Sequence, residues 1–97
     1  MARIVVDRTG ESAFRVTVEE GASRSIHDVT ATAEHVRRYG ADAPAEQLVE
    51  KSFEFLLERE PKESILSRFE LPVIERYFPE YPREIRRKLR PTANPNR

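Results

Sequence analysis

The sequence predicts an α+β fold in which a three-stranded antiparallel β-meander is followed by a long central helix and several short proline-started helices. Along residues 13–19, large apolar side chains alternate with small or polar ones, which is typical of a half-buried strand. Further along, prolines stand at the heads of amphipathic runs, where their missing N–H does no harm to a helix. These helix-starting prolines are Pro44, Pro61, Pro72 and Pro82.

Length and composition predict one domain over residues 1–90 and a disordered tail over residues 91–97. The chain has 97 residues, of which 38% are hydrophobic, enough to supply a single core. It contains no cysteine, which excludes disulfides, thiolate metal sites and cysteine nucleophiles. The tail carries no apolar anchor. No apolar run is long enough for a signal peptide or a membrane span, so a cytoplasmic protein without a membrane partner is expected.

Three strands are expected in the first third of the chain. Residues 3–7 form a β-branched run, and in 13–19 and 25–31 every second side chain shares one face. Ile26 falls on the opposite face of the third strand. Short turns between these runs favour antiparallel neighbours. The residues assigned to the two shared faces are Phe14, Val16 and Val18, and His27, Val29 and Ala31.

The remaining elements are expected to be helices. Thr32 is placed to cap a helix over 33–39 that Gly40 ends. The longest helix, 44–59, is apolar over most of its girth, so it should lie between the sheet and the later helices. Shorter helices are expected over 62–69 and 73–78, and a last one begins at Pro82.

The core is expected to draw on apolar side chains from all of these elements. Its predicted members are Val5, Phe14, Val16, Val18, Val29, Leu48, Phe53, Leu56, Ile65, Leu66, Phe69, Ile74 and Phe78.

The histidines do not predict a catalytic, cofactor or metal site. His27 adjoins Asp28, but neighbours on a strand point to opposite faces, so this carboxylate is badly placed to orient the ring. His35 lies eight residues further on, whereas helical metal sites use spacings of three or four. We therefore expect half-buried or surface histidines, no cofactor, and a protein that is not an enzyme.

Three carboxylates around Pro61 also have both a possible functional role and a possible structural role. Glu58, Glu60 and Glu63 lie close together in sequence, and a carboxylate pair in a cleft can perform acid–base chemistry. Negative charge is also favourable at a helix start, by roughly 0.3–1 kcal/mol. We expect the second role for Glu60 and Glu63.

The C-terminal part of the chain is basic. Residues 83–97 carry six cations and one carboxylate, although the whole chain has a formal net charge of zero. Such a stretch can contact phosphates or form a solvated tail, and no aromatic residue is interleaved for base stacking. The candidate phosphate- or partner-contacting residues are Arg83, Arg86, Arg87, Lys88 and Arg90.

An aromatic group lies just before this basic stretch. Tyr77, Phe78 and Tyr81 either close the core at its edge or form an exposed docking patch. Core packing is expected for most of the group. Tyr81 is the residue expected to remain exposed and to serve as a docking aromatic.

Residues 52–66, SFEFLLEREPKESIL, and 73–81, VIERYFPEY, resemble a block found in small uncharacterised bacterial proteins, with a looser match at residues 26–30. The resemblance covers about a third of the chain. It implies a bacterial or archaeal source and brings no activity, cofactor or site residue.

The functional expectation is a non-enzymatic interaction or accessory protein. A three-stranded sheet leaves two open edges, so an unidentified protein partner or self-association through a sheet edge is expected. The alternative is a nucleic-acid- or ribosome-associated protein that uses the basic C-terminal helix.

Overall fold

The computed structural model describes residues 2–40 and 42–90, and it confirms the α+β class. The predicted tail, 91–97, lies outside the described residues. A 3₁₀ turn, Lys62–Ser64, separates the second helix from the fourth strand. The strands are β1 (Arg3–Arg8), β2 (Ala13–Glu20), β3 (Ser23–Thr30) and β4 (Arg68–Glu70). The helices are α1 (Ala33–Gly40), α2 (Ala45–Leu57), α3 (Val73–Tyr77) and α4 (Tyr81–Leu89).

The sheet has four strands in the order β1-β2-β3-β4, so the prediction of a three-stranded antiparallel sheet is wrong in this respect. β1, β2 and β3 pair antiparallel, and β4 pairs parallel to β3 with Phe69 opposite Val29. Gly21 turns the chain between β2 and β3 with a φ of 58°, which glycine adopts without a Cβ clash. Among residues 2–40 and 42–90, β1 and β4 are therefore the edge strands of the sheet.

The helix expected over residues 62–69 is replaced by the 3₁₀ turn and β4. Phe69 and Leu71 are buried while Arg68 and Glu70 are exposed, which is the period of a strand. The spacing of Ile65 and Phe69 is four residues and also suits a helix. The chain takes the extended course because β3 offers an unpaired edge there, and Leu71 donates its main-chain N–H to the Thr30 carbonyl at 2.9 Å.

The outer face of the sheet carries charges of alternating sign. Asp7, Arg15, Asp28 and Arg68 stand opposite one another across all four strands. The Arg15 Nε lies 3.3 Å and the Arg68 Nη2 lies 3.9 Å from the Asp28 carboxylate. Opposite charges on facing residues stabilise strand pairing, by roughly 0.2–1 kcal/mol each. A second row, nearer the other end of the strands, is formed by Arg3, Glu19 and Arg24.

α1 begins as the sequence predicts. The main-chain N–H of His35 donates to the Thr32 Oγ1, and the Thr32 N–H donates to the His35 Nδ1, both at 3.1 Å. This reciprocal pair satisfies two helix-start donors in the manner of a capping box. At the other end, Tyr39 is buried and its hydroxyl donates to the Glu75 carboxylate at 2.8 Å. Burial, together with this contact, raises the Tyr39 pKa to about 12.

α2 is shorter than the predicted 44–59, since Pro44 precedes its first turn and Glu58 follows its last residue. Two rings on this helix point in different directions. Phe53 meets His27 and Phe69 of the sheet at centroid distances of 5.2 and 6.0 Å. Phe55 packs on the other side, against Phe78 and Tyr81. Residues two apart on a helix lie about 200° apart, so α2 is buried on two opposite sides.

Most of the predicted core residues are buried, and three are not. Val5 is half-buried on the outer face of β1, because Ile4 and Val6 are the residues that turn inward against the core. Leu66 is 46% exposed, since Ile65 takes the inward position in this extended segment. Phe78 is half-buried at the edge of the core. Buried apolar residues outside the predicted set are Ala31, Tyr39, Val49, Phe55, Leu71, Tyr81 and Ile85.

The expectation for the aromatic group is reversed. Tyr81 is 0% exposed, whereas Tyr77 is 67% exposed. The buried Tyr81 hydroxyl lies 2.7 Å from the Ser52 Oγ, and Ser52 in turn donates to the Leu48 carbonyl at 2.7 Å. The Ser52 hydroxyl has one hydrogen, which it donates to Leu48, so Tyr81 must be the donor in the contact between the two hydroxyls. Burial raises the pKa of Tyr81 above the usual value for tyrosine.

Within the described ranges, no helix is both long enough and apolar enough to cross a lipid bilayer.

Because Tyr81 donates to Ser52, and Ser52 donates to Leu48, two substitutions should lower the free energy of unfolding by unequal amounts. Ser52→Ala should lower the free energy of unfolding by about 1–3 kcal/mol, because it leaves the buried Tyr81 hydroxyl without an acceptor. Tyr81→Phe leaves no donor unpaired and should lower it by only about 1 kcal/mol. Urea denaturation of both variants measures the difference. An equal or larger loss for Tyr81→Phe would contradict the assigned direction of the bond.

Candidate functional site

The candidate site is a cleft where the end of α2, the segment after Pro61, β4 and α3 meet. Its volume is about 200 Å³. An engineered apolar cavity of roughly 150 Å³ binds benzene, so this cleft has room for one large side chain or ring. The walls are apolar, and the polar residues that line it are Glu60 and Ser64. The apolar wall residues are Leu56, Ile65, Phe69, Ile74 and Phe78, with Leu66, Val73 and Tyr77 completing the lining.

The cleft exists because the chain leaves α2 abruptly. The Glu60 N–H still donates to the Leu56 carbonyl at 2.9 Å, and Pro61 then adopts an extended conformation. The 3₁₀ turn that follows is held down by Lys62, whose side chain is 4% exposed. The Lys62 ammonium lies 2.6 Å from the Glu63 carboxylate and 3.5 Å from that of Glu20 on β2.

Exposed apolar side chains concentrate at this cleft. Within the described part of the chain, the large hydrophobic residues that are exposed are Ile26, Leu66 and Tyr77. Two of these three line the same cleft. Exposed apolar groups that gather beside a concave apolar surface often mark a binding site, whereas single ones are ordinary. Ile26 lies apart, on the outer face of the sheet.

Glu60 is the charged group of the cleft. Among residues 2–40 and 42–90, the ion pairs of the structure include none to this carboxylate. Burial raises its pKa above the usual value of 4.5, with no neighbouring charge contributing to the shift. A carboxylate held among apolar side chains without a partner is disfavoured in its charged form. A cation brought by a ligand would relieve that penalty.

The neighbouring carboxylates behave differently. The pKa of Glu58 lies below its usual value, chiefly because Lys88 donates to it. The Lys62 ammonium likewise lowers the pKa of Glu63. The three carboxylates of this region therefore have separate surroundings, and the structure shows no paired acid–base arrangement among these three residues.

The histidines occupy structural positions. His27 is buried, which the sequence did not predict, and its Nδ1 lies 2.8 Å from the Leu66 carbonyl. A carbonyl can only accept, so Nδ1 carries a hydrogen; the Ser25 hydroxyl contacts the Nε2 at 2.8 Å. His27 thereby ties β3 to the rim of the cleft, while His35 caps α1. In the described ranges, no group of three histidine or acidic side chains could hold a metal ion.

The basic residues of α4 divide into two sets. Lys88 pairs with Glu58 and packs toward the body of the protein. Four arginines are exposed: Arg83, Arg86 and Arg87 share one side of α4, since the second and third lie three and four residues after the first, and Arg90 follows directly after the helix. The Arg86 Nη2 also donates to the Arg38 carbonyl at 3.3 Å, which brings the end of α1 beside this surface. We call Arg83, Arg86, Arg87 and Arg90 the arginine face.

Part of this charge is compensated. Glu84 lies 3.6 Å from the Arg83 Nε and 3.8 Å from the Arg87 Nη1. Exposed ion pairs of this kind contribute little to folding stability, roughly 0–1 kcal/mol, and they leave the guanidinium groups free to contact other anions.

Comparison with models of known protein families, with curated proteins and with solved structures gave no match to this chain. The resemblance to small bacterial proteins therefore stays a prediction.

The isolated carboxylate predicts a pH-dependent stability difference. Because the pKa of Glu60 is raised, its stabilising contribution is fully present below pH 4.5 and is lost as the pH rises through the shifted value. Glu60→Gln should therefore be more stable than the natural chain at pH 7, and the free energies of unfolding of the two proteins should converge toward pH 4. Urea denaturation at a series of pH values tests this.

Glu50→Gln removes the same charge from an exposed position on α2 and controls for the change in net charge. A Glu60→Gln variant that is less stable than the natural chain at pH 7 would show that the carboxylate has a favourable partner.

Proposed function

We propose that this is a non-enzymatic protein-interaction module, and that its cleft receives one apolar side chain of an extended partner segment that also carries a lysine or arginine. The observation that supports this is the cleft itself, with Leu66 and Tyr77 exposed beside it. A volume of about 200 Å³ suits one side chain better than a drug-sized ligand, for which roughly 300–1,000 Å³ is typical.

The charge of the cleft favours a cationic partner. Glu60 supplies a carboxylate among apolar walls, and an ammonium or guanidinium group would pair with it in surroundings where charge-assisted hydrogen bonds are strong. An anionic partner would be repelled.

The position of β4 favours an extended partner. β4 is the last strand of the sheet, and its Phe69 side chain forms part of the cleft wall. A segment that paired with this edge would gain main-chain hydrogen bonds, and alternate side chains would face the cleft.

Three end-blocked peptides test this proposal: Thr-Phe-Thr-Lys-Thr and its versions with Gln or Glu in place of Lys. The Lys peptide should shift the amide NMR signals of cleft residues and bind about tenfold more tightly than the Gln peptide, which corresponds to about 1.4 kcal/mol. The Glu peptide should bind most weakly. Glu60→Gln should remove the preference, and Leu66→Ser with Tyr77→Ser should remove binding.

Ile26→Ser is the matched control, since it removes an equally exposed apolar side chain elsewhere. It should bind all three peptides as the natural chain does. Equal affinities for the Lys and Gln peptides, or no cleft shifts at millimolar peptide, would contradict the proposal.

The second candidate function is binding of a single-stranded nucleic acid by the arginine face. Its specific support is the arrangement of three exposed arginines on one side of α4, with Arg90 exposed directly after the helix. A surface of this kind neutralises phosphates without reading sequence.

Salt dependence tests this second function. Each phosphate contact to a single strand contributes about 0.7 to the slope of log K against log salt. The combined variant Arg83→Gln, Arg87→Gln and Arg90→Gln should therefore bind single-stranded RNA more weakly and flatten the slope by about 2. Fluorescence anisotropy measures both quantities.

The matched control changes three exposed arginines on the outer face of the sheet. Those residues are Arg15, Arg24 and Arg68. If both triple variants lose affinity equally, or if the natural chain ignores RNA and DNA at low salt, the arginine face is not a nucleic-acid site.

A further inference from the structure

The free edge of β1 is self-complementary in its charges. Arg3 and Asp7 lie on the outer face of the sheet, each two residues from Val5. When two copies of such a strand run antiparallel with Val5 opposite its own counterpart, each Arg3 faces an Asp7 of the other copy. Charged side chains on an edge strand usually hinder pairing, but here the two opposite charges stand symmetrically about Val5, so a second copy would match them.

We infer that two copies of this chain pair through β1 about a two-fold axis at Val5 and form one continuous eight-stranded sheet. This surface is separate from the cleft, so the inference does not depend on the proposed function.

The alternation of main-chain hydrogen-bonding groups along β1, toward β2 or toward the free edge, fits this register. Thr9 donates its N–H to the Ala13 carbonyl at 2.8 Å, so the odd-numbered residues of β1 bond to β2. The main-chain groups of Ile4, Val6 and Arg8 consequently point to the free edge. With Val5 on the axis, these groups would bond between the two copies. Arg3 and Asp7 would then occupy positions without a main-chain bond between the copies, where facing side chains come closest.

The outer face continues without interruption across such a junction. One copy contributes the row Arg68, Asp28, Arg15 and Asp7. The other copy would continue it with Arg3, Glu19 and Arg24, so that the sign alternates at every strand. Beside it, a β-branched row would run through Val5, Thr17 and Ile26 of both copies.

The same pairing would bury more of the inner face of β1. Ile4 and Val6 are only half-buried although both pack against the core. In this register each Ile4 faces a Val6 of the other copy, and the two cores join beneath the shared sheet. Registers displaced by two residues bring Arg3 opposite Val5 or Thr9 and lose the charge match.

The first experiment uses the absence of natural cysteine. Val5→Cys places a thiol on the axis, where facing Cα atoms about 4.5 Å apart are within disulfide range. It should form a covalent dimer under mild oxidation much faster than Ile26→Cys, whose position is exposed on the same face but away from the edge. Equal rates for the two variants would overturn the inference.

The second experiment separates pairing from folding. Arg3→Asp alone and Asp7→Arg alone each set like charges opposite one another, and each should weaken the dimer at least tenfold in sedimentation velocity. An equal mixture of the two variants restores both opposite-charge contacts and should form a mixed dimer with near-natural affinity. A mixture no tighter than either variant alone, or a natural chain that stays monomeric at micromolar concentration, would refute the pairing.

Discussion

The fold depends on α2 being buried on two opposite sides. Phe53 packs against the sheet, and Phe55 packs against Phe78, just after α3, and Tyr81 of α4, so neither layer is complete without the helix between them. Arg59 reinforces the second side: its guanidinium lies 3.7 Å from the Phe55 ring centroid and pairs with Glu80, just before α4. The cleft forms where α2 ends and this two-sided packing gives way.

The parts of the fold that the sequence predicts well are those in which a local pattern carries the information. Alternation in β2 and β3 identifies Phe14, Val16 and Val29 as buried, and the Thr32 cap fixes the start of α1. β4 escapes prediction because three residues are too few to show a period, and an apolar spacing of four fits a helix equally well. Its extended form depends on a partner strand some forty residues earlier.

The candidate site was predictable only in part. Glu60 is visible in the sequence, but its isolation depends on where Lys62 and Lys88 reach, and each of those cations is taken by another carboxylate. Tyr77 and Tyr81 are chemically alike, and they differ because Ser52 offers a buried acceptor to one of them. The exposure of Leu66 follows from an extended backbone in which Ile65 already occupies the inward position. Sequence spacing does not reveal these tertiary relations.

The late arrival of β4 in the chain has a kinetic consequence. β1, β2 and β3 are joined by tight hairpins, so they can assemble early, whereas β4 must close a long loop before it gains any contact. Its three residues pair with β3, and main-chain bonds of the flanking Ser67 and Leu71 extend the pairing by one residue on each side. The cleft, whose walls include residues of β4 and the 3₁₀ turn, should therefore form only after the hairpins have assembled and β4 has reached β3.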